Sequence, residues 1–313
     1  MKIISGKQQR PQRVVIYGVE SVGKTTFAAQ FPSPLFLDIE AGTAHLDVDR
    51  VAIDKWADLH QALKDAAGTH YETVVIDSAD WAERLCVEDL LATTKKTSIE
   101  DFGYGKGWVQ VAERMSRLLT ALDSLIANGK HVVLLAHSKV QRVEPPDLMT
   151  AYDRYELKMS KQCSPLVKEW ADELWFFRFK TKVIETENGK AKGTGGKQRI
   201  ILTTHSAAYD AKTRSGLAEE LPMEWNSVAH LFAPAKPAAP AKVATASAER
   251  WEKELEANEG TVNRFLLGRG VITSGQTWRD CAPDYLAKVA ARIDHFIKVA
   301  REAEQATPME VAA

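Results

Sequence analysis

Gly18-Val19-Glu20-Ser21-Val22-Gly23-Lys24-Thr25 constrains this chain more than any other segment. The β-branched run Val14-Val15-Ile16-Tyr17 precedes it, and a helix-like stretch from Gly23 to Gln30, closed by Pro32 and Pro34, follows. Strand, glycine-rich loop and helix in that order make a phosphate-binding loop. Its glycines let successive backbone N–H groups wrap a β-phosphate. Lys24 then reaches the β- and γ-phosphates, Thr25 ligates Mg2+, Thr26 completes the nucleotide-contacting run, and the positive end of the helix adds to the field. A nucleoside triphosphate and Mg2+ are therefore the expected ligands, and ATP is the nucleotide that the resemblance described below implies.

The rest of the first two-thirds has the matching rhythm. Leu35–Glu40, Thr73–Asp77 and His131–Ala136 read as buried strands, separated by helical stretches over Trp56–Ala67 and Val109–Asn128. Continuously apolar strands alternating with helices imply a mostly parallel central sheet covered by helices on both faces. From Leu174 the pattern turns to aromatic-rich strands, Leu174–Glu185 and Ile200–Thr204, around a glycine- and lysine-rich turn over 188–197. Residues 1–232 are expected to form this α/β core and the Ala/Pro/Lys-rich residues 233–248 a semi-extended linker. Residues 249–313 are expected to form a small helical domain in which Leu286, Val289, Ile293, Phe296 and Ile297 share one face.

With 41 basic against 42 acidic residues, the net charge of −1 gives no global attraction to nucleic acid or membrane, so any polyanion site must be local. Cys86, Cys163 and Cys281 have neither metal-ligand spacing nor a disulfide framework and read as core residues in a reducing interior. With no signal-peptide-like start and no long apolar run, the sequence reads as cytoplasmic, with no membrane partner.

Two carboxylates complete the candidate site. Asp77 ends the strand Val74-Val75-Ile76, where it can hold magnesium alongside Thr25. Ser78 follows it, so the residue that activates water lies elsewhere. Glu40 ends the strand after the phosphate-loop helix and is the candidate base. Asp38 shares its side of a strand of period two and is its rival, and Glu40 could merely cap the following turn.

On these motifs the chain resembles the RecA-like recombinase and helicase ATPases, over roughly residues 12–230. Within that group it is most similar to phage AAA-type nucleotide-binding proteins and to phage single-strand annealing proteins built on a RecA core. The segment Leu37–Asp47 resembles the one that carries the recombinase catalytic glutamate, which favours Glu40. Val74–Ser78 resembles the second nucleotide motif. Leu134–Lys139 occupies the place of a polar sensor, with His137 where recombinases have glutamine. Tyr209–Leu217 resembles a Lys-x-Arg-x-Gly segment whose basic residues, here Lys212 and Arg214, act on a neighbouring subunit's γ-phosphate. The resemblance therefore implies a homo-oligomer, ring or filament, in the bacterial host cell if a phage encodes the chain.

Two segments suit single-stranded DNA. One carries Lys95, Lys96, Tyr104, Lys106 and Trp108; the other, Lys139–Tyr155, carries Lys139, Arg142 and Arg154 among acidic residues. Lysines neutralise phosphates and aromatic rings stack on bases without reading sequence. Lys190, Lys192, Lys197 and Arg199 of the hairpin form a third basic group, and Trp278 reads as core. The expectation is an ATPase that binds and anneals or pairs single-stranded DNA in phage-type recombination or replication. The alternative is an ATP-dependent loader or adaptor acting on a protein partner.

Overall fold

The computed structural model describes residue 6 and residues 10–144, 150–185, 191–232, 245–282, 285, 286, 289 and 293–306. Residues 233–244 of the expected linker, and Lys190 of the hairpin's basic group, lie outside them. The chain divides into two units, Met1–Ala235 and Lys236–Ala313.

The first unit is a sheet of ten strands among the described residues. In chain order they are β1 (Arg13–Gly18), β2 (Pro34–Asp38), β3 (Asp49–Ala52), β4 (Thr73–Asp77), β5 (His131–Val143), β6 (Tyr152–Leu157), β7 (Glu173–Glu185), β8 (Ala191–Leu202), β9 (Lys212–Thr213) and β10 (Glu220–Pro222). Its main path runs β10-β8-β7-β1-β5-β4-β2-β3, with β6 on β5 and β9 on β7. The stretch from β7 to β3 is parallel, and antiparallel pairs extend it. A mostly parallel sheet is what the alternation of strands and helices implies, and its order is that of the RecA-like P-loop fold that the resemblance implies.

Side-chain alternation explains how the sheet is covered. Val15 and Tyr17 of β1 join Leu37, Ile76 and Leu134 on one face. There they meet helices α2 (Trp56–Ala67), α3 (Ala79–Thr94), α4 (Lys106–Ala127) and α5 (Cys163–Trp170). Val14 and Ile16 point the other way, toward α1 (Lys24–Ala28), with Phe27, Phe31, Trp225 and Phe232 beneath. A central strand flanked by helices on both faces has no solvent side, so its residues are apolar without interruption.

The differences from the sequence expectation occur where strands leave that doubly covered centre. β3 is an exposed edge strand that draws its ladder bonds from β2 while burying no side chain, and so lacks an apolar pattern. β5 runs on past Ala136 and pairs antiparallel with β6, so the segment expected to be a DNA-facing loop is a hairpin over its described residues. Likewise Ala191–Lys197, expected as a turn, is strand paired to β7 across an irregularity between Phe179 and Thr181. α1, Lys24–Ala28, is shorter than the expected helix from Gly23 to Gln30.

In the second unit, α6 (Thr245–Ala257), α7 (Glu259–Gly268) and α8 (Ile293–Ala306) surround a core that includes Leu266, Trp278, Val289, Ile293 and Ile297. The helix α6 begins inside the segment expected to be linker. Arg264 pairs with Glu304 and Arg301 donates to Asn258. All three cysteines are free and buried. No helix among the described residues is long and apolar enough to cross a membrane.

Candidate nucleotide site

Strand register gathers the motifs at one end of the sheet. Gly18 is level with His137 across β1–β5, and Asp77 is level with Asp38 across β2–β4 and with Leu135 across β4–β5. Phosphate loop, magnesium candidate and sensor candidate therefore share the carboxyl ends of adjacent parallel strands, where open α/β sheets bind ligands.

The loop needs its glycines at two places. A Cβ on Gly18 would lie 2.2 Å from the Phe177 carbonyl oxygen, so β1 and β7 could not approach as they do. Gly23 has φ 98°, in the left-handed region that favours glycine. Lys24 folds back, and its Nζ donates to the carbonyls of Gly18 and Val19 at 3.2 Å each. Burial lowers the pKa of this amine, while Asp77, Asp80, Glu40 and Glu20 oppose the shift.

Thr25 Oγ1 donates to Asp77 Oδ2 at 2.8 Å. Burial pushes the Asp77 carboxyl up to about 6; the Thr25 bond opposes this, while Glu40 and Asp38 add to it. A hydroxyl and a carboxylate side by side, in a pocket crowded with negative charge, are hard oxygen donors suited to Mg2+. Thr25 and Asp77 therefore fit the ion expected of them.

Asp38 and Glu40 have different surroundings. Asp38 is buried and anchors the turn that follows β2, accepting from the Gly42 and Thr43 N–H groups at 3.1 Å each and from the Thr43 hydroxyl. Glu40 lies two residues past the strand, and the Ser78 hydroxyl is hydrogen-bonded to it. That same hydroxyl is 2.8 Å from Asp80 Oδ1, and having one proton it donates to one carboxylate at a time. Asp80 also accepts from the His137 N–H at 3.1 Å and pairs with His137 Nδ1 at 2.9 Å. His137 Nδ1 is in turn 3.6 Å from Glu40 Oε1. The bond to Asp80 raises the His137 pKa, against the effect of burial. Burial alone would raise Asp80, but its bonds to His137 and Ser78 outweigh it and the net shift is downward. Glu40, Ser78, Asp80 and His137 thus form one closed polar network.

Sequence reasoning missed Asp80 as a member of the site and gave Ser78 no role beyond its place in the second nucleotide motif. Asp80 sits in the first turn of α3, where an acidic residue is ordinary helix chemistry and gives no separate signal. Arg199 was assigned to a hairpin tip, yet its Nη1 donates to the Val22 carbonyl at 3.3 Å, against the phosphate loop.

Lys212 and Arg214 do not meet the chain's own loop. Lys212 pairs with Leu174 near the start of β7, and Leu174 is level with Val15. Gly18 is three residues further along β1, about 10 Å away at ~3.3 Å per residue. Lys212 Nζ donates to the Lys168 carbonyl at 2.8 Å, and Arg214 pairs with Asp172 at 2.9 Å while remaining 56% exposed. Burial and the neighbouring Arg214 lower the Lys212 pKa.

Several expected DNA contacts are otherwise engaged. Lys96 donates to the Asp101 carbonyl at 2.8 Å and lies over the Phe102 ring, and Lys139 donates to the Met159 carbonyl at 2.7 Å. Arg154 pairs with Asp210, and Trp108 packs against the core. Lys95, Tyr104, Lys106 and Arg142 remain exposed, Tyr104 completely.

Comparison with known proteins gives three findings. A family model described as AAA domain matches residues 10–215. An SPbeta prophage-derived uncharacterized protein, YorG, of Bacillus subtilis (strain 168) is 27% identical over 136 residues. Those residues are 40% of this chain, and the chain spans about 40% of the length of that relative. The KaiC-like protein PH0186 of the hyperthermophilic archaeon Pyrococcus horikoshii OT3 is 14% identical, with a TM-score of 0.35 over 68% of this chain and 85% of that one.

Proposed function

This chain belongs to the AAA-domain family, and from that premise we propose that it is a magnesium-dependent ATP hydrolase that works as a nucleotide-driven switch on a protein partner. The supporting observation is the network Glu40–Ser78–Asp80–His137. It joins the candidate base to β5 at the residue where that strand leaves the parallel sheet and enters the β5–β6 hairpin. A change in the proton or position of Glu40 is thereby felt by an element that projects beyond the sheet.

In the proposed reaction Lys24 and the loop N–H groups hold the phosphates. Glu40 takes a proton from the attacking water as its oxygen bonds to the γ-phosphorus, the bridging P–O bond breaks and ADP leaves. Thr25 and Asp77 hold the magnesium, which when bound neutralises charge on the phosphate oxygens. Glu40, once protonated, no longer competes with Asp80 for the Ser78 proton, and His137 responds through Asp80. Lys212 and Arg214 serve the γ-phosphate of an adjacent copy in a homo-oligomer, a role suited to their distance from their own loop.

A second reading, with single-stranded DNA as the partner, is favoured by one feature: fully exposed Tyr104 between exposed Lys95 and Lys106. Phosphate release with and without single-stranded DNA, followed by sizing of the nucleotide-bound protein, separates the two. The switch reading expects magnesium-dependent turnover that DNA leaves unchanged and assembly that nucleotide promotes. Severalfold stimulation by DNA would replace it with the second reading.

A further inference from the structure

Arg199 lies on β8 opposite Phe179, and Phe179 lies two residues beyond Phe177, the β7 residue level with Gly18. Strand pairing therefore carries Arg199 just past the phosphate-loop end of the sheet. Ile201, two residues along β8, is buried on the α1 face, so the alternation of a strand turns Arg199 toward the same side. There its Nη1 donates to the Val22 carbonyl at 3.3 Å. The same nitrogen lies 2.7 Å from where a Cβ on residue 23 would stand, and the Met223 methyl is 3.5 Å from that point. Gly23 thus gives the guanidinium its seat as well as the loop its turn.

The bond to Val22 is a weak use of this group. One carbonyl engages one of five guanidinium donors, and among the described residues no carboxylate pairs with Arg199. By contrast, Arg10, Arg114, Arg154 and Arg214 all have acidic partners. An exposed cation with no carboxylate partner among the described residues, held against the outer flank of an anion cradle, matches phosphate geometry. Lys24 engages the other flank, at Gly18 and Val19.

We propose that Arg199 is a nucleotide-binding residue supplied by the same chain, which leaves the Val22 carbonyl and donates to a phosphate oxygen when the loop fills. The inference rests on the nucleotide-binding reading above. It makes the β7–β8 hairpin part of the site, so nucleotide occupancy is also sensed at this edge of the sheet.

The test is calorimetric titration of the full chain with Mg·ATP, and with magnesium tripolyphosphate, for wild type, Arg199→Ala and Arg199→Lys. Arg199→Ala is expected to weaken both ligands by the same factor, about tenfold or more, the loss of a charge-assisted contact. Arg199→Lys is expected to recover only part of the affinity, because it keeps the charge but not the planar fork of donors. Equal affinity in wild type and Arg199→Ala overturns the inference, as does weakening that accompanies a lower melting temperature of the ligand-free variant, which would mark a brace for the loop. Weakening toward Mg·ATP alone also overturns it, because the contact would then be to base or ribose. If wild type itself binds neither ligand, the nucleotide-site reading fails as a whole, which is distinguishable from failure of the Arg199 assignment.

Discussion

Replacing Asp80 with asparagine removes one charge while keeping shape, and the structure says how much that should matter. The Asp80 carboxylate is 9% exposed and is bonded to the His137 N–H, His137 Nδ1 and the Ser78 hydroxyl. Hydrogen bonds to a charged group contribute ~1.5–3 kcal/mol each, and neutral ones about 1. Asparagine retains one acceptor oxygen, so the net loss is about 2 kcal/mol of stability. The pH dependence identifies the source. His137 is raised above its ordinary value, so its contribution is complete below pH ~6.5 and is lost as pH rises through its folded pKa. Asp80 is lowered, so its share is present above pH ~3.9 and is lost as pH falls through its folded value. Urea unfolding of nucleotide-free wild type and Asp80→Asn at pH 5.5 and 8.5 measures both effects, with the larger gap expected at pH 5.5. A gap that is absent at pH 5.5, or equal at the two values, refutes the charged pairing of Asp80 with His137.

Three further outcomes follow from individual contacts. His131 accepts from the Gln12 N–H at 3.0 Å and is lowered to about 4 by burial. The unfolded chain therefore binds the extra proton first, and acidification from pH 6.5 to 4 should remove up to about 3 kcal/mol, measurable by urea unfolding and absent in His131→Asn. Asp38→Ala should lose about 3 kcal/mol on thermal or urea unfolding, because it leaves the Gly42 and Thr43 N–H groups without their acceptor. Asp38→Asn should keep most of its hydrolysis rate, since the role assigned to Asp38 is to anchor a turn.

How much of this was legible in the sequence depends on where each residue sits. Val74, Val75 and Ile76 are buried on both sides of a central strand, so composition alone located β4 and its terminal Asp77. The bounds of α2 were equally readable, because Leu59, Leu63 and Ala66 recur at helical spacing on one face. β3 and the outer part of β5 escaped because edge and hairpin strands owe their form to a partner's backbone and bury little side chain. Spacing singled out Glu40 and Asp38 together and the resemblance favoured Glu40; what spacing could not give is the turn that Asp38 anchors through Gly42 and Thr43. Ser78 and Asp80 stand at the start of α3 where polar and acidic residues are ordinary helix chemistry, and Arg199 reaches the site through register between distant strands, which local sequence does not encode.

The central claim is that this chain hydrolyses ATP with Glu40 as the base beside the Thr25–Asp77 magnesium position. Steady-state phosphate release at saturating Mg·ATP, with nucleotide affinity measured in parallel on wild type and Glu40→Gln, tests it most directly. Glu40→Gln is expected to bind Mg·ATP within about twofold of wild type and to hydrolyse it about 100-fold more slowly or worse, the loss of a general base without loss of ground-state binding. Wild-type turnover by Glu40→Gln would contradict the assignment, and wild type that binds Mg·ATP without releasing phosphate would contradict hydrolysis itself.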